Sequence, residues 1–285
     1  MMVNAYAKIN LVLDVLGTRT DGYHELVTIM QTLELHDRLE FSKAGAIKLV
    51  VEGADLSAGS DNLAFRAADL LRRRSGYAGG ANIKLVKRIP LAAGLAGGSA
   101  DAAAVLRGLN KLWGLGMEME ELADLGAAIG SDVPFCLQGG TALVRGRGER
   151  VDPLPGLPPL GAVLAKPPFG VSTARVYHRY DDIVKPLHPD GQGMLRAVRG
   201  SDVGRVAACL GNALEQVTVS MYPQIGEIKE IVAAAGALGV LMSGSGPTVF
   251  GLFDDEFAAR RAADGIKSGG FRVWATRFCD PRVDH

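Results

Sequence analysis

The residues from Lys87 to Asp101, KRIPLAAGLAGGSAD, combine a basic approach, a glycine-rich loop and the start of a helical pattern. Gly94, Gly97 and Gly98 carry no Cβ and can adopt positive φ, which lets a bulky anion approach the main-chain N–H groups. A helix N-terminus adds unpaired donors and a partial positive charge. The stretch therefore suits the binding of a phosphate group.

A purely structural interpretation of the same residues stays open, because a Gly/Ala-rich turn also lets a helix pack closely on a sheet. The sequence contains neither the P-loop pattern G-x-x-x-x-G-K-[ST] nor the dinucleotide fingerprint G-x-G-x-x-G. It also lacks the H-R-D and D-F-G motifs of protein kinases, since residues 36–38 read His-Asp-Arg. Known phosphate-binding motifs of these three classes are thus excluded.

Other polar residues occupy positions where chemistry is feasible. Lys8 and Asn10 alternate with apolar residues and so share one face of a predicted strand. Tyr23 and His24 follow an Asp-Gly turn and are able to stack on and hydrogen-bond a base. Asp132 lies in the predicted first turn of a helix, where the dipole stabilises a carboxylate with or without chemistry. For Lys8 and Asn10, the spacing alone favours an ordinary solvated strand face, and for Tyr23 and His24 an ordinary turn contact fits equally well.

The elements around these residues follow from periodicity and from turn residues. Residues 81–88 look extended, Pro90 ends that strand, and Ser99 is the predicted N-cap of the helix that follows. Ser131 is the predicted N-cap before Asp132. The pattern predicts strands over 4–16, 26–35, 38–41 and 47–51, and helices over 62–74 and 118–129.

The C-terminal half begins after the Pro-dense stretch 151–160, which predicts a boundary between domains 1–155 and 156–285. Ser172 is expected to cap a short helix that contains Tyr177. Predicted elements are a strand over 162–166, helices over 204–214, 223–235 and 256–267, strands on both sides of the loop 243–248, and a strand over 271–278. The closing order of helix, strand, strand, helix and strand is typical of a ferredoxin-like sandwich.

Bulk composition excludes several classes of protein. The 285 residues include 31 Lys+Arg and 31 Asp+Glu, so no net field recruits nucleic acid or an anionic membrane. No apolar run reaches the length of a membrane span, and residues 1–10 lack a signal-peptide core, which predicts a cytoplasmic protein. Cys136, Cys209 and Cys279 are too few and too dispersed to suggest a disulfide framework or a metal site.

Several motifs together resemble one family. The pattern Pro90-x-x-x-Gly94-Leu95-x-Gly97-Gly98-Ser99-Ala100 is similar to the second signature of the galactokinase, homoserine kinase, mevalonate kinase and phosphomevalonate kinase superfamily. Residues 243–248, SGSGPT, resemble its third signature. The motifs AKINL at 7–11 and R-x-D-G-Y-H-x-L at 19–26 resemble the branch whose acceptor is a cytidyl diphosphate sugar alcohol.

The resemblance implies an α+β small-molecule kinase with two domains. An N-terminal ribosomal-protein-like α/β domain and a C-terminal ferredoxin-like α/β sandwich would enclose the active site in the cleft between them. ATP with Mg²⁺ is the implied cofactor, and a small-molecule cytidyl diphosphate is the implied substrate. No nucleic acid or membrane partner is expected, and the protein is predicted to be a monomer or a weak homodimer.

Residue roles follow from the same resemblance. Lys8 and Asp132, the latter in a G-x-D-V-P-F motif, are the implied catalytic pair. Asn62 and Lys87 are placed near the adenine. The implied nucleotide loop consists of Pro90, Leu91, Ala92, Ala93, Gly94, Leu95, Ala96, Gly97, Gly98, Ser99 and Ala100. The implied acceptor site consists of Asn10, Tyr23, His24 and Tyr177.

Metal ligands are not evident, because no carboxylate cluster has metal-binding spacing; Ser99 is a candidate hydroxyl ligand beside phosphate and water. Two alternative functions remain. The first is another kinase of the superfamily, acting on homoserine or a mevalonate derivative, against which Tyr23 and His24 argue. The second is a non-catalytic nucleotide sensor or RNA-binding protein, against which the zero net charge and the presence of Lys8 and Asp132 argue.

Overall fold

The computed structural model describes residues 1–266 and 269–282. Within those residues the strands form two sheets, one of seven strands and one of four. The strands of the larger sheet are β1 Met2–Thr18, β2 His24–Ala44, β3 Lys48–Glu52, β4 Gly80–Val86, β5 Thr141–Gly146, β6 Arg150–Pro153 and β8 Gly211–Asn212. Those of the smaller sheet are β7 Gly161–Lys166, β9 Gly239–Met242, β10 Val249–Phe253 and β11 Arg272–Arg277.

A long antiparallel hairpin of β1 and β2 is the backbone of the larger sheet. The separate strands predicted over 26–35 and 38–41 are one continuous strand of 21 residues, so the predicted break between them was wrong. The polar residues His36, Asp37 and Arg38 suggested a turn, but they pair with residues of β1 in unbroken register. Shifts of the register after Tyr6, Asn10 and Val15 bend the hairpin.

Helices cover one face of the larger sheet. They are α1 Leu63–Ser75, α2 Gly97–Trp113, α3 Met119–Ile129 and α4 Val133–Gln138. The central helix α2 is buried along most of its length, because small residues such as Ala102 and Ala103 let it approach the strands closely. The main hydrophobic core continues into the smaller sheet, where Leu164 and Phe250 belong to the same cluster as Ile9.

The smaller sheet has the strand order β11-β7-β10-β9 and is antiparallel throughout. Its connections follow the sequence β7, helices, β9, β10, helix, β11, which is the topology of a ferredoxin-like sandwich. The helices of this half are α5 Thr173–Asp181, α6 Gly191–Arg199, α7 Val203–Ala208, α8 Glu215–Met221, α9 Gln224–Ala234 and α10 Glu256–Gly265. The helix predicted over 256–267 therefore exists, and Lys267 itself lies outside the described residues.

The two halves of the chain are connected by more than the linker. Strand β8, from the second half, pairs in parallel with Val12 and Leu13 of β1. Leu33 of β2 also forms an isolated bridge with Phe278. The two sheets are therefore in direct contact, and the division at 155/156 stays a prediction.

Two predicted helix caps were wrong. The N-cap of α2 is Ala96 rather than Ser99, because the last residue of the loop adopts a left-handed conformation before the helix begins. At α4 the N-cap position belongs to Asp132 rather than Ser131. The predicted start of α1 at Asn62 agrees with the structure, in which Asn62 is the N-cap and Gly76 is the C-cap. Among the described residues no helix is long and apolar enough to cross a membrane.

Candidate active site

One cavity of about 1090 Å³ collects most of the residues that the sequence singled out. Both glycine-rich loops, β1, β2 and α5 contribute to its walls. The predicted residues that line it are Lys8, Asn10, Tyr23, His24, Lys87, Pro90, Leu91, Ala92, Ala93, Gly94, Ala96, Gly97, Gly98, Ser99, Asp132 and Tyr177.

Three predicted residues lie elsewhere. Leu95 and Ala100 are buried in the hydrophobic core, at 1% and 2% exposure, and hold the two ends of the loop in place. Asn62 caps α1, where its side chain accepts a hydrogen bond from Ala64 N and donates one to Ser57 O. Its predicted role beside the adenine stays a prediction, and the cavity wall nearest to it in sequence is formed by Leu63.

The phosphate loop, which we define as residues 90–99, includes the start of α2 at Gly97. Ala92 and Ala96 both adopt positive φ, which is uncommon for residues other than glycine. Within the described part of the chain no side chain caps α2, and its first backbone hydrogen bond runs from Ala100 N to Ala96 O. The preceding N–H groups of the first turn therefore stay available to an anion in the cavity.

Gly97 and Gly98 of the phosphate loop lie against neighbouring side chains, which the sequence did not predict. A Cβ on Gly97 would lie 3.0 Å from Ile89 Cγ2, and one on Gly98 would lie 3.3 Å from Leu63 Cδ1. Both missing side chains thus face neighbouring protein atoms. Their absence lets α2 begin close to β4 and α1, and this close packing sets where the free N–H groups point.

Lys8 and Asp132 meet at the cavity wall, with 3.6 Å between Lys8 Nζ and Asp132 Oδ2. Lys8 is 3% exposed, so the expectation of a solvated strand face was wrong. Its ammonium donates to Asn10 Oδ1 at 2.8 Å, and Asn10 in turn donates to Thr28 Oγ1 at 2.9 Å. Thr28 then donates to Val12 O. This chain of hydrogen bonds fixes the ammonium beside the carboxylate.

The carbonyl oxygen of Gly94 joins the phosphate loop to both sheets. It accepts hydrogen bonds from Lys8 Nζ at 3.2 Å and from Ser243 Oγ at 2.9 Å. Lys8 N also donates to Leu95 O. Gly94 has φ +73, and a Cβ there would lie 2.3 Å from Ser243 O. No other residue fits between the two glycine-rich loops without moving one of them.

Behind the phosphate loop, Lys87 is buried between two carboxylates. Its ammonium contacts Asp37 and donates to Asp101 Oδ2 at 2.6 Å. Asp37 also accepts from the main-chain N–H groups of Arg88 and Ile89. The cluster therefore ties β2 and the end of β4 to the first turns of α2, on both sides of the loop.

This buried cluster has one positive group and two acidic ones. Burial lowers the pKa of Lys87, but attraction to Asp101 and Asp37 outweighs this and raises it. Burial raises the pKa of Asp101 to about 8, the charge of Lys87 opposes the rise, and the charge of Asp37 adds to it. Asp101 Oδ1 is buried and has no hydrogen-bond partner among the described residues. Because an unpartnered carboxylate oxygen disfavours ionisation, Asp101 holds a proton more readily than an ordinary aspartate.

Aromatic residues form another part of the cavity wall. His24 stacks on Tyr177 with 4.6 Å between ring centroids, and His24 Nε2 lies 2.7 Å from Asp181 Oδ1. The guanidinium of Arg147 lies over the ring of Tyr23 at 5.1 Å. Burial raises the pKa of Tyr177, so its phenol is neutral at physiological pH. These groups offer flat apolar faces together with a few donors, which suits a nucleobase.

Several residues of the site were not predicted from the sequence: Thr28, Asp37, Asp101, Arg147 and Asp181. Asp37 carried a signal, because a carboxylate inside an apolar strand needs a buried partner. Asp101 carried another, because it directly follows the phosphate loop. Arg147 and Asp181 lie in a hairpin turn and at a helix end, where charged residues are ordinary and give no signal.

The cavity offers few protein ligands to a magnesium ion. No cluster of three or more His, Cys, Asp or Glu suited to a metal occurs within residues 1–266 and 269–282. Mg²⁺ in proteins keeps several waters and takes few protein ligands beside substrate phosphates. Ser99 and Asp132 both line the cavity. This sparse set fits a magnesium ion that arrives with a nucleotide.

Comparison with known proteins agrees with this arrangement. Residues 62–140 match the model of the GHMP kinases N terminal domain, and residues 194–271 match that of the GHMP kinases C terminal. A curated 4-diphosphocytidyl-2-C-methyl-D-erythritol kinase of Pelotomaculum thermopropionicum is 56% identical over 98% of each chain. Its counterpart in Geobacillus kaustophilus is 48% identical over 99% of this chain and 98% of its own.

The chain belongs to the 4-diphosphocytidyl-2-C-methyl-D-erythritol kinase family. A crystal structure of a 4-(cytidine 5'-diphospho)-2C-methyl-D-erythritol kinase is 39% identical, with a TM-score of 0.82 over 98% of this chain and 99% of that one. The predicted α+β small-molecule kinase fold is thereby confirmed. The residue roles inferred for this kinase family stay predictions.

We expect Gly94→Ala to unfold more easily and to bind ATP more weakly than a matched control, Gly114→Ala. Both glycines have positive φ, so each substitution costs about 1 kcal/mol of backbone strain. Only Gly94 has an atom in the way of the new Cβ, since nothing lies within 4 Å of the one on Gly114. Urea unfolding and calorimetric titration with ATP measure both effects. Equal losses in the two variants would contradict the close approach of the loops.

We expect the stability of the Asp101→Asn variant, relative to the wild type, to increase as the pH rises from about 4 to about 8. An acid whose folded-state pKa is raised binds more protons when folded, so the wild type loses stability over this range. The slope is at most about 1.4 kcal/mol per pH unit for one proton. Urea unfolding at several pH values measures it. Parallel profiles for the two proteins would contradict the raised pKa; Asp124→Asn, on the exposed face of α3, is the control.

Proposed function

We propose that this protein transfers the γ-phosphoryl group of ATP to the 2-hydroxyl of 4-diphosphocytidyl-2-C-methyl-D-erythritol, a step of the methylerythritol phosphate pathway to isoprenoids. One observation carries the proposal. Lys8 Nζ and Asp132 Oδ2 meet 3.6 Å apart in a cavity that is also lined by the N-terminus of α2, with its free main-chain N–H groups, and by stacking aromatic residues. The names of the relatives supply the identity of the acceptor.

Phosphoryl transfer needs positioning and charge neutralisation more than covalent chemistry, because its transition state is loose and spreads charge over the equatorial oxygens. Lys8 provides a buried positive charge at the point of transfer and favours alkoxide character on the acceptor. Asp132 accepts the hydroxyl proton as the bond to phosphorus forms. Since the hydrogen bonds of Asn10 and Gly94 hold the ammonium in place, little reorganisation is required during the reaction.

The nucleotide is held by the phosphate loop and by the N-terminus of α2. Main-chain N–H groups of residues 97–99 donate to the phosphates, and the helix dipole stabilises their charge. The buried cluster of Lys87, Asp37 and Asp101 keeps both ends of the loop fixed. Ser99 and Asp132 line the cavity and would help to hold a magnesium ion that arrives with the nucleotide. The ion would neutralise negative charge that develops on the phosphoryl group during transfer.

The acceptor lies along the part of the cavity wall that carries the aromatic residues. Tyr23 and Tyr177 present aromatic faces to the cytosine, and His24 supplies a ring nitrogen for hydrogen bonding. Asp181 orients the imidazole by its contact with Nε2. Arg147 brings a positive charge into the same wall, where it favours an anionic diphosphate. This set accounts for recognition of a nucleotide-linked alcohol rather than a bare one.

Three further expectations belong to this proposal. The protein acts in the cytoplasm, as a monomer or a weak homodimer. Residues 1–155 form the ATP-binding domain and residues 156–285 form the substrate-side domain. Support for the third expectation, the two domains, comes from the positions of β1 to β6 in the larger sheet and of β7, β9, β10 and β11 in the smaller one.

A coupled assay of ADP release with a panel of acceptors tests the function directly. We expect turnover with the cytidyl diphosphate substrate at least about 10³-fold above that with homoserine or mevalonate, since neither of these fills the aromatic end. Comparable turnover with either of them would assign the protein to another branch of the superfamily. Nucleotide binding without turnover on any acceptor would favour a sensor.

Replacement of the proposed base gives a second test. We expect Asp132→Asn to lower kcat about 10²- to 10⁴-fold while the calorimetric affinity for ATP is nearly kept, because the amide cannot accept the proton. Asp124→Asn, a neutralised aspartate on the exposed face of α3, is the matched control and should keep its activity. Normal turnover by Asp132→Asn would remove Asp132 from the mechanism.

A further inference from the structure

Helix α5 separates two cavities. Thr173, Tyr177 and Asp181 recur at four-residue spacing and line the active-site cavity. Arg175 and Arg179, also four residues apart, line a second cavity of about 640 Å³ on another face of the same helix. Residues at such spacing share one face of a helix, so the two sets point in different directions.

Hydrogen-bond donors collect in the second cavity. Arg175 forms no ion pair with any residue that the structure describes, and Arg179 has only a long contact of 3.6 Å with Asp182, in which both side chains are about 60% exposed. Such exposed pairs are weak and easily exchanged. From α8, Gln216 adds an amide whose Nε2 is buried without a hydrogen-bond acceptor among the described residues. The cavity thus has two guanidinium groups and one unsatisfied buried donor, and its one carboxylate is that of Asp182. Its lining therefore carries a net positive charge.

The rest of the wall is largely apolar. Ile183, Val217, Met221 and Tyr222 line the cavity beside the donors. A ligand that satisfies both parts has an anionic head and a hydrocarbon body. A volume of about 640 Å³ lies within the range of small-molecule sites.

We propose that this second cavity, which we call the α5 rear site, binds an amphipathic phosphate ester and that the bound ester changes the affinity of the active site for its acceptor. The phosphate pairs with Arg175 and Arg179 and accepts from Gln216 Nε2, while the hydrocarbon packs against Val217 and its apolar neighbours. Guanidinium groups pair with phosphate in a bidentate geometry that also resists displacement by water.

Coupling to the active site follows from the position of α5. The front face of this helix is tied to the cavity by the contact of Asp181 with His24 and by the contact between Thr173 Oγ1 and Ser245 Oγ, at 2.8 Å. A ligand that binds Arg175 and Arg179 contacts the same helix and can shift it. The acceptor side is therefore affected more than the phosphate loop, which lies on α2. This part of the proposal rests on the proposed function, whereas ligand binding does not.

Calorimetry with n-hexyl phosphate on the full chain tests the binding, with inorganic phosphate and hexanol as the two partial probes. We expect hexyl phosphate to bind more tightly than either probe. The Arg175→Gln/Arg179→Gln variant should bind about tenfold more weakly or worse. The control, Arg196→Gln/Arg199→Gln, removes two exposed arginines from α6 and should bind like the wild type. Unchanged affinity in the first variant, or no binding up to about 10 mM, overturns the site.

A second variant separates binding from folding. Gln216→Met removes the unsatisfied donor at nearly constant volume, so the free protein should become more stable to urea while the affinity for hexyl phosphate falls. A variant that was merely damaged would lose stability as well. If affinity is unchanged in Gln216→Met, the buried amide does not contact the ligand and the proposed geometry is wrong.

Kinetics test the coupling. Hexyl phosphate should change KM for the cytidyl acceptor several-fold and leave KM for ATP almost unchanged, and the effect should vanish in Arg175→Gln/Arg179→Gln. Equal changes in both KM values, or the same effect in the double variant, overturn the coupling. A chain that shows no turnover with the acceptor contradicts the proposed function instead, and the calorimetric result then decides the rear site by itself.

Discussion

The site depends on the carbonyl oxygen of Gly94, where three parts of the chain meet. Lys8 from the first strand and Ser243 from the second glycine-rich loop both donate to it. Because Ser243 follows β9 of the smaller sheet, this one acceptor fixes the phosphate loop against both sheets. The proposed catalytic ammonium is thereby positioned by the same atom that holds the loop. A shift of the phosphate loop would therefore also shift the Lys8 ammonium.

A cluster of buried charged residues supports the phosphate loop, and its desolvation costs free energy. Lys87, Asp37 and Asp101 are almost fully buried, and removing three ionisable groups from water is expensive even when they are paired. An apolar cluster of similar volume would fill the space more cheaply. The charged cluster instead gives directional contacts to β2, to the end of β4 and to the start of α2. Such contacts fix the direction of a helix N-terminus more closely than apolar packing does, which is what preorganised electrostatics requires.

Helix α5 shows how a short element can serve two surfaces. It is only nine residues long, and its buried residues are Val176 and Tyr180. Its remaining faces are exposed to one cavity or the other, so polar residues occupy most of the helix. A sequence pattern of this kind indicates an ordinary surface helix. The tertiary structure adds that the exposed residues of α5 line two cavities, one shared with His24 and the other with Gln216.

Local patterns were sufficient for much of the fold and for part of the site. The glycine-rich loop, the helix after it and the closing ferredoxin-like order follow from residue types at fixed spacing, since turns, caps and periodicity are local properties. The small-molecule kinase class came from the resemblance of several motifs to a known superfamily. The pairing of 36–38 within β2 was missed, because it depends on partners in β1. The burial of Lys8 was missed for a related reason, since the residues that cover its side chain, such as Gly94 and Asp132, are distant in the sequence.

The sequence by itself therefore predicted a phosphate-binding loop and identified the charged and aromatic residues that are candidates for the chemistry. Only the tertiary structure decided that Lys8 and Asp132 meet, that Lys87 is held between two carboxylates, and that Gly97 packs closely against Ile89. The physical reason is that contacts between residues far apart in the chain depend on how the sheets and helices pack. No local propensity encodes those distances.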